Sequence, residues 1–199
     1  MEKLKRIWSR SLIVLATMLA LLVAGNVFAQ AKNAKYMGAE KCKNCHSSAS
    51  MGDQYGKWKA EKHSNAYDNL AGPKAKELGQ KQGIADPQAS DKCLKCHTTA
   101  FGQSKDRLDA KFDPKLGVQC ESCHGPGEKH VKARMTAAAE GADALGAGGA
   151  PSAISKDEIN TKPDAKTCTG CHNKESPSFT SFDFDKMSKE IAHPNPKKK

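Results

Sequence analysis

The chain has 199 residues and a formal charge of +10, a length that suits one domain. Hydrophobic residues make up 38 % and aromatics 6 %. That excludes a self-sufficient apolar core, and composition alone drifts toward disorder.

Read from the start, Lys3, Lys5, Arg6 and Arg10 form a basic region and Leu12 to Val23 an apolar one. Val27-Phe28-Ala29 follows as a small-residue cleavage signal. The pattern predicts a secretory signal peptide over 1–29, and hence a periplasmic or extracellular protein. The apolar run is too short for a good membrane span. No second apolar segment follows, so no integral span is expected after cleavage. Residues 30–199 then form a single domain of 170 residues, ending in a basic tail over 197–199.

Helix-compatible stretches follow at Gln54–Tyr67 and Lys74–Lys81, the second preceded by the Gly72-Pro73 break. Ser90-Asp91 reads as the N-cap of a short helix, and Pro163-Asp164 as the start of another. Glu128–Glu140 is a plausible helix stopped by Gly141. Gly141–Ala150 is Gly/Ala-rich and reads as a loop. Asp183–Ala192 is a last helix, ended by Pro194. No alternating strand pattern appears. The fold class is therefore mainly α with extensive irregular loops.

Four copies of Cys-x-x-Cys-His use every one of the 8 cysteines. They are Cys42/Cys45/His46, Cys93/Cys96/His97, Cys120/Cys123/His124 and Cys168/Cys171/His172. This pentapeptide reads as a c-type haem attachment site. The thiols bond the haem covalently and the histidine becomes an axial ligand of the iron. Zinc needs only four ligands, which leaves a histidine after every pair unexplained. A thioredoxin-like motif needs a βαβ context, and structural disulfides do not require a following histidine. The expected cofactors are four covalently attached haem c groups.

Four large flat groups supply the core that the side chains lack, and without them the chain is expected to be largely unfolded. They also change the charge. The leader accounts for +3 of the total, leaving +7 on residues 30–199. Each haem adds two propionates and a porphyrin dianion against the iron charge, so four of them bring the loaded protein to roughly +3 oxidised and −1 reduced by formal count. A nucleic-acid partner is therefore poorly supported. Scattered lysines suit docking to an acidic redox partner, and equally a solubilising face.

Seven histidines occur, and His63, His130 and His193 lie outside the motifs. Spare histidines in such a chain are the usual pool of distal ligands. Three of them complete at most three bis-His irons. His130 lies six residues after His124, too close to wrap the ring edge to the opposite face, so it crosses to another haem. The fourth iron is five-coordinate, bound by a methionine, or ligated from another subunit. Met37, Met51, Met135 and Met187 are more readily core filler than ligands.

Over Tyr36–Pro194 the chain resembles the tetrahaem cytochrome c-554 family. The most specific stretch is Gly117 to Gly127, Gly-Val-Gln-Cys-Glu-Ser-Cys-His-Gly-Pro-Gly. Trp58 with His63, Phe101-Gly102-Gln103, and Phe184-Asp185 with Met187, Lys189 and Glu190 support it. The resemblance implies three bis-His haems and a second haem, on His97, that is five-coordinate. It further implies His130 opposite His46, His63 opposite His124 and His193 opposite His172, with the first and third haems stacked.

The favoured function is electron transfer between a redox donor and acceptor. Bis-His ligation gives lower potentials than Met/His, which suits respiratory electron flow. No catalytic residue is expected. An enzyme would use the open iron on His97 to reduce a small nitrogen oxide or peroxide, with Lys92, Lys95 and Asp91 near in sequence as proton donors. A filament would fill the ligand deficit from a neighbouring subunit, but all three spare histidines are already assigned. Oligomeric state is left open.

Overall fold

The computed structural model describes residues 33–140, 153–194 and 196. The expected leader, the Gly141–Ala150 loop and the 197–199 tail lie outside the described residues. Lys35–Lys199 forms one compact unit, separate from residues 1–34, and it is the unit described below.

Eight α-helices occur among the described residues. In chain order they are α1 Ala39–His46, α2 Gln54–Ala60, α3 Pro73–Lys81 and α4 Asp91–His97, then α5 Cys120–His124, α6 Glu128–Ala139, α7 Ala165–Thr169 and α8 Phe184–Glu190. Five single 3-10 turns lie between them. The only β feature described is an isolated parallel bridge between Tyr36 and Leu108. The mainly α, loop-rich class read from the sequence is what the chain adopts.

Local chemistry accounts for the boundaries. Pro73 opens α3 at a position where its missing N–H is harmless. Asp164 caps α7 by accepting from the Thr167 N–H at 2.9 Å, and Asp183 caps α8 from Lys186 at 3.1 Å. Such caps satisfy N–H groups that the helix itself leaves orphaned. Ser90 occupies the N-cap of α4 without a side-chain cap bond.

Two helices are shorter than their sequence patterns suggest. Gln54–Tyr67 folds as helix only to Ala60, and Glu61 is extended. The Ser64 hydroxyl donates to the carbonyls of Lys59 at 3.0 Å and Glu61 at 2.9 Å, taking acceptors that a longer helix would use. α8 ends at Glu190, ahead of Pro194, and His193 Nδ1 turns back to the Ile191 carbonyl at 2.9 Å.

Among the described residues of this unit the buried apolar side chains are few: Ala39, Trp58, Ala66, Leu70 and Pro87. Ser64, Thr99, Gln119 and Glu121 are just as buried. A set this small and this polar does not make a side-chain core, because folding must offset roughly 1–2 kcal/mol of backbone entropy per ordered residue. The buried polar groups are instead tightly bonded. Gln119 accepts from the Ala39 N–H and donates to the Asp113 carbonyl, both at 2.8 Å. Its own N–H donates to the Thr99 hydroxyl at 2.7 Å. Trp58 Nε1 donates to the Val118 carbonyl at 2.8 Å, and the Val118 N–H donates to the His63 carbonyl at 3.0 Å. The stretch from Gly117 to Glu121 is thereby stitched to α1, to α2 and to the loop carrying His63.

Candidate haem centres

All four Cys-x-x-Cys-His motifs sit on or run off the end of a short helix. α1, α4 and α5 each end on the motif histidine, and α7 ends just before Cys171 and His172. In a helical turn the two cysteines, three residues apart, are neighbours along one side. None of the eight cysteines is joined to another in a disulfide. Among the described residues no three His, Cys, Asp or Glu side chains converge to hold an ion, whereas a structural zinc site needs four ligands.

Cys45 departs from the common pattern. All eight cysteines are read from the sequence as equivalent attachment residues, yet Cys45 is exposed while the other seven are part-buried. The reason is its place on α1. Cys42 lies one turn earlier, where its Sγ donates to the Gly38 carbonyl at 3.5 Å and the third motif packs against it. Cys45 lies at the far end of the helix, beyond that contact. Lys43, Asn44 and residues 47–50 around it are exposed as well. The chain encloses one thiol of the first motif and leaves the other at the surface. Attachment through Cys45 therefore rests on its spacing from Cys42 and His46, and not on a protein wall around it.

The motifs touch in a definite order. Cys42 and Cys120 are hydrogen-bonded, which raises the Cys42 thiol and lowers that of Cys120. The first and third motifs therefore meet. Cys171 is pushed up to about 12 by burial and by Cys96 beside it, so the second and fourth meet also. Lys95 and Glu175 form an ion pair across that second contact. Cys123 is pushed up to about 11 by burial, with Cys168 adding to it, which sets the third motif near the fourth. Thiols raised in this way are unlike the low-pKa cysteines of thiol–disulfide enzymes.

Six of the seven histidines face one another in pairs. The rings of His46 and His130 have centroids 6.2 Å apart with planes at 30°. Those of His63 and His172 are 6.2 Å apart at 80°. Those of His124 and His193 are 5.9 Å apart at 68°. Direct ring stacking would bring centroids closer than this in its tighter forms, and no hydrogen bond joins the rings within a pair. A metal–imidazole bond of about 2 Å, plus roughly 1.1 Å from nitrogen to ring centre, puts two rings gripping one ion about 6.2 Å apart. The spacing in all three pairs is that of two imidazoles on opposite sides of one metal. The residues fit haem iron.

His97 is the remaining histidine, and every other ring has a partner. Its Nδ1 lies 2.6 Å from the Ala66 carbonyl. A carbonyl only accepts, so His97 donates there and keeps the lone pair on Nε2. His124 does the same toward the Asn160 carbonyl at 2.6 Å. His46 Nδ1 faces Gln54 Oε1 at 3.3 Å. His130 Nδ1 lies 3.5 Å from Glu158 Oε2. The carbonyl and amide partners fix the tautomer and the ring orientation of a ligating histidine, whereas the Glu158 carboxylate lies beside His130 Nδ1 without hydrogen-bonding it. Burial pushes His46, His63, His124 and His130 below the ordinary histidine range, which keeps them neutral as ligands must be. Phe182 stacks on the His172 ring at 4.9 Å and 19°.

The structure departs from the pairing that the family resemblance implies. His63 faces His172, where His124 was expected, and His193 faces His124, where His172 was expected. The two are exchanged. The end of the chain explains this: the Pro194 carbonyl lies against Gly52, close to the first motif. That draws His193 toward the side where the first and third motifs meet. Sequence reading also missed Gln54, Glu158 and Asn160 as partners of ligand nitrogens. No local pattern marks a backbone carbonyl or an isolated carboxylate for that role.

Residues 41–125 match the family model described as cytochrome c554 and c-prime. Among curated proteins, cytochrome c-554 of Nitrosomonas europaea is 37 % identical over 101 residues, which are 49 % of this chain and 41 % of that protein. The multiheme cytochrome MtrA of Shewanella baltica is 29 % identical over 97 residues, 46 % of this chain and 26 % of that protein. The chain thus spans less than half the length of either relative. No solved structure matches. These matches, like the repeated motif, are those of multihaem c-type cytochromes. Over residues 41–125, less than half of its length, the chain is similar to the cytochrome c-554 family.

Proposed function

We propose that the chain is an exported electron carrier with four haems, one on each Cys-x-x-Cys-His motif, passing electrons between two redox proteins. The observation that carries this reading is the set of three histidine pairs with ring centres 5.9 to 6.2 Å apart. His46 with His130, His63 with His172 and His124 with His193 would hold three irons. His97 would hold the fourth from one side only, because no histidine is left to close it.

Haem c supplies reversible one-electron chemistry when bound. This chain's residues do the rest. The thiols of each motif anchor the macrocycle, and the paired imidazoles fix its iron in low-spin, low-potential ligation. In the first motif Cys42 is the inner anchor and Cys45 the outer one, on the solvent side. Hydrogen-bonded carbonyls hold the ligand rings in place and leave their Nε2 lone pairs facing inward. The motifs neighbour one another in the order second, fourth, third, first, with Cys96 beside Cys171, Cys168 near Cys123 and Cys120 on Cys42, and would hold four haems in that order. Among the described residues no helix is long and apolar enough to cross a membrane. The net positive charge of the polypeptide over residues 30–199 suits docking to acidic redox partners.

Intact-mass measurement on protein purified from its native compartment tests the reading in one step. The expected mass is that of residues 30–199 plus four haems, with no thiol left to alkylate, Cys45 included. A retained leader would count against export by cleavage. Fewer than four haems, or free thiols, would count against the tetrahaem reading.

A further inference from the structure

We propose that Glu158 is a positioning residue that lowers the reduction potential of the haem held between His46 and His130. The proposal rests on the reading of His130 as an iron ligand. Its own ground is the geometry at the outer nitrogen of that ring.

Glu158 is fixed from several sides. Arg134 Nη2 donates to both of its oxygens at 3.0 Å, and the Ser155 N–H donates to Oε1 at 3.2 Å. Oε2 is left turned toward His130 Nδ1 at 3.5 Å. The side chains of His130 and Glu158 are only 14 % and 15 % exposed, so water screens the contact weakly. Arg134 sits one turn after His130 on α6, the spacing at which helical neighbours share a face. The clamp and the ligand are therefore delivered by one rigid element.

The outer-nitrogen partners of His46, His97, His124 and His193 are neutral. His46 faces an amide oxygen, and His97, His124 and His193 face backbone carbonyls. Glu158 brings a carboxylate instead. Oε2 does not hydrogen-bond Nδ1, so the carboxylate acts through its charge, and a nearby negative charge in a weakly screened site favours the more positive iron. That stabilises the ferric state over the ferrous one, and so lowers the potential. Arg134 offsets part of the charge and mainly holds the carboxylate in place. The same short strap carries Asn160, whose carbonyl takes His124 Nδ1 and whose N–H donates to the His124 carbonyl. One segment thus supplies an anionic partner to the first haem and a neutral one to the third. Two adjacent haems with otherwise similar ligands are thereby split in potential. The strap lies beyond the residues that match the family model.

The test is a spectroelectrochemical titration of the loaded protein in four forms: wild type, Glu158→Gln, Glu158→Asp and His130→Met. His130→Met marks the step that belongs to the first haem, since methionine ligation raises the potential. Glu158→Gln is expected to raise that same step about tenfold in its equilibrium constant, about 59 mV for one electron, and to leave the other three in place. Glu158→Asp, which keeps the charge on a shorter arm, is expected to fall between. If Glu158→Gln leaves the marked step where it was, or moves several steps together with loss of haem, the proposal fails while the ligation reading stands. If His130→Met moves no step, the ligation reading falls and takes the proposal with it.

Discussion

Replacing Glu121 with alanine is expected to destabilise the loaded protein by about 3–5 kcal/mol and to lower its haem content. Glu121 is 3 % exposed and lies inside the third motif. Its Oε1 accepts from the Met37 N–H at 2.8 Å and the Gly127 N–H at 2.6 Å, and its Oε2 from the Gly38 N–H at 2.8 Å. Those three donors belong to the segment leading into α1 and to the turn after α5. Burial pushes the carboxyl above its ordinary range, and the three N–H groups pull it back. Alanine would leave the buried Gly38 and Gly127 donors and the part-buried Met37 donor without an acceptor, at about 1–3 kcal/mol for each buried one before relaxation. Total stabilities are only about 5–15 kcal/mol, so the loss is a large share. Glu121→Gln keeps one oxygen and is expected to cost less. Thermal melts followed in the Soret band, with haem quantitation, measure both. A melting point for the alanine variant equal to wild type would show that the first and third motifs hold together without this carboxylate.

Gly117→Ala is expected to reach further, disturbing two haem sites at once. Gly117 has φ +75°, and a Cβ placed there would stand 2.6 Å from the His63 carbonyl, 3.0 Å from that of Ser64 and 3.1 Å from the Ala66 nitrogen. All three are backbone atoms, so the 63–66 loop itself must move. Left-handed strain and overpacking together cost about 2–5 kcal/mol. The functional consequence comes from what the loop carries. His63 faces His172, and the Ala66 carbonyl holds His97. Displacing the loop withdraws a distal ligand from one iron and loosens the proximal ligand of another. The expected result is loss of one low-spin signal in the ferric protein and a changed spectrum for the haem on His97, with the His46/His130 and His124/His193 pairs intact. Unchanged spin states would mean that the loop tolerates the methyl group and that His63 is not tied to Gly117.

The attachment motifs were legible because their chemistry is local: thiols three residues apart in one turn, then the histidine. What the motif does not encode is how the fold surrounds each thiol. Cys42 and Cys45 look alike in sequence, yet the third motif covers one and leaves the other at the surface. The spare histidines were legible by counting. Their partners were not, because a distal ligand is chosen by tertiary folding. His130 was turned away from His124 by a chain-length argument, and its ring does face His46. For His63 and His193 no such constraint exists, and their rings face other histidines than those the resemblance implies. The Gly117–Gly127 stretch stood out as specific, yet its reasons are structural ones that the sequence hides. Gly117 lets the His63 loop approach, Gln119 bonds α1, and Glu121 gathers three N–H groups. Glu158 was invisible for the opposite reason: in the polar run from Ser155 to Glu158 it looks like ordinary solvated surface. The helix pattern was read well where a cap or proline marks the boundary, as at Pro73, Asp164 and Asp183. It overran where Ser64 ends a helix by taking its carbonyls.

Low-temperature electron paramagnetic resonance of the fully oxidised protein, with spin quantitation, tests the account most directly. Three histidine pairs and one unpaired His97 require three low-spin ferric haems and one high-spin haem per chain. Loss of the high-spin signal should follow Cys93→Ser with Cys96→Ser, which removes the second attachment site. Four low-spin haems would contradict the account, since a fourth strong ligand would then close the iron on His97. Two or more high-spin haems would contradict it from the other side, by breaking at least one of the three pairs.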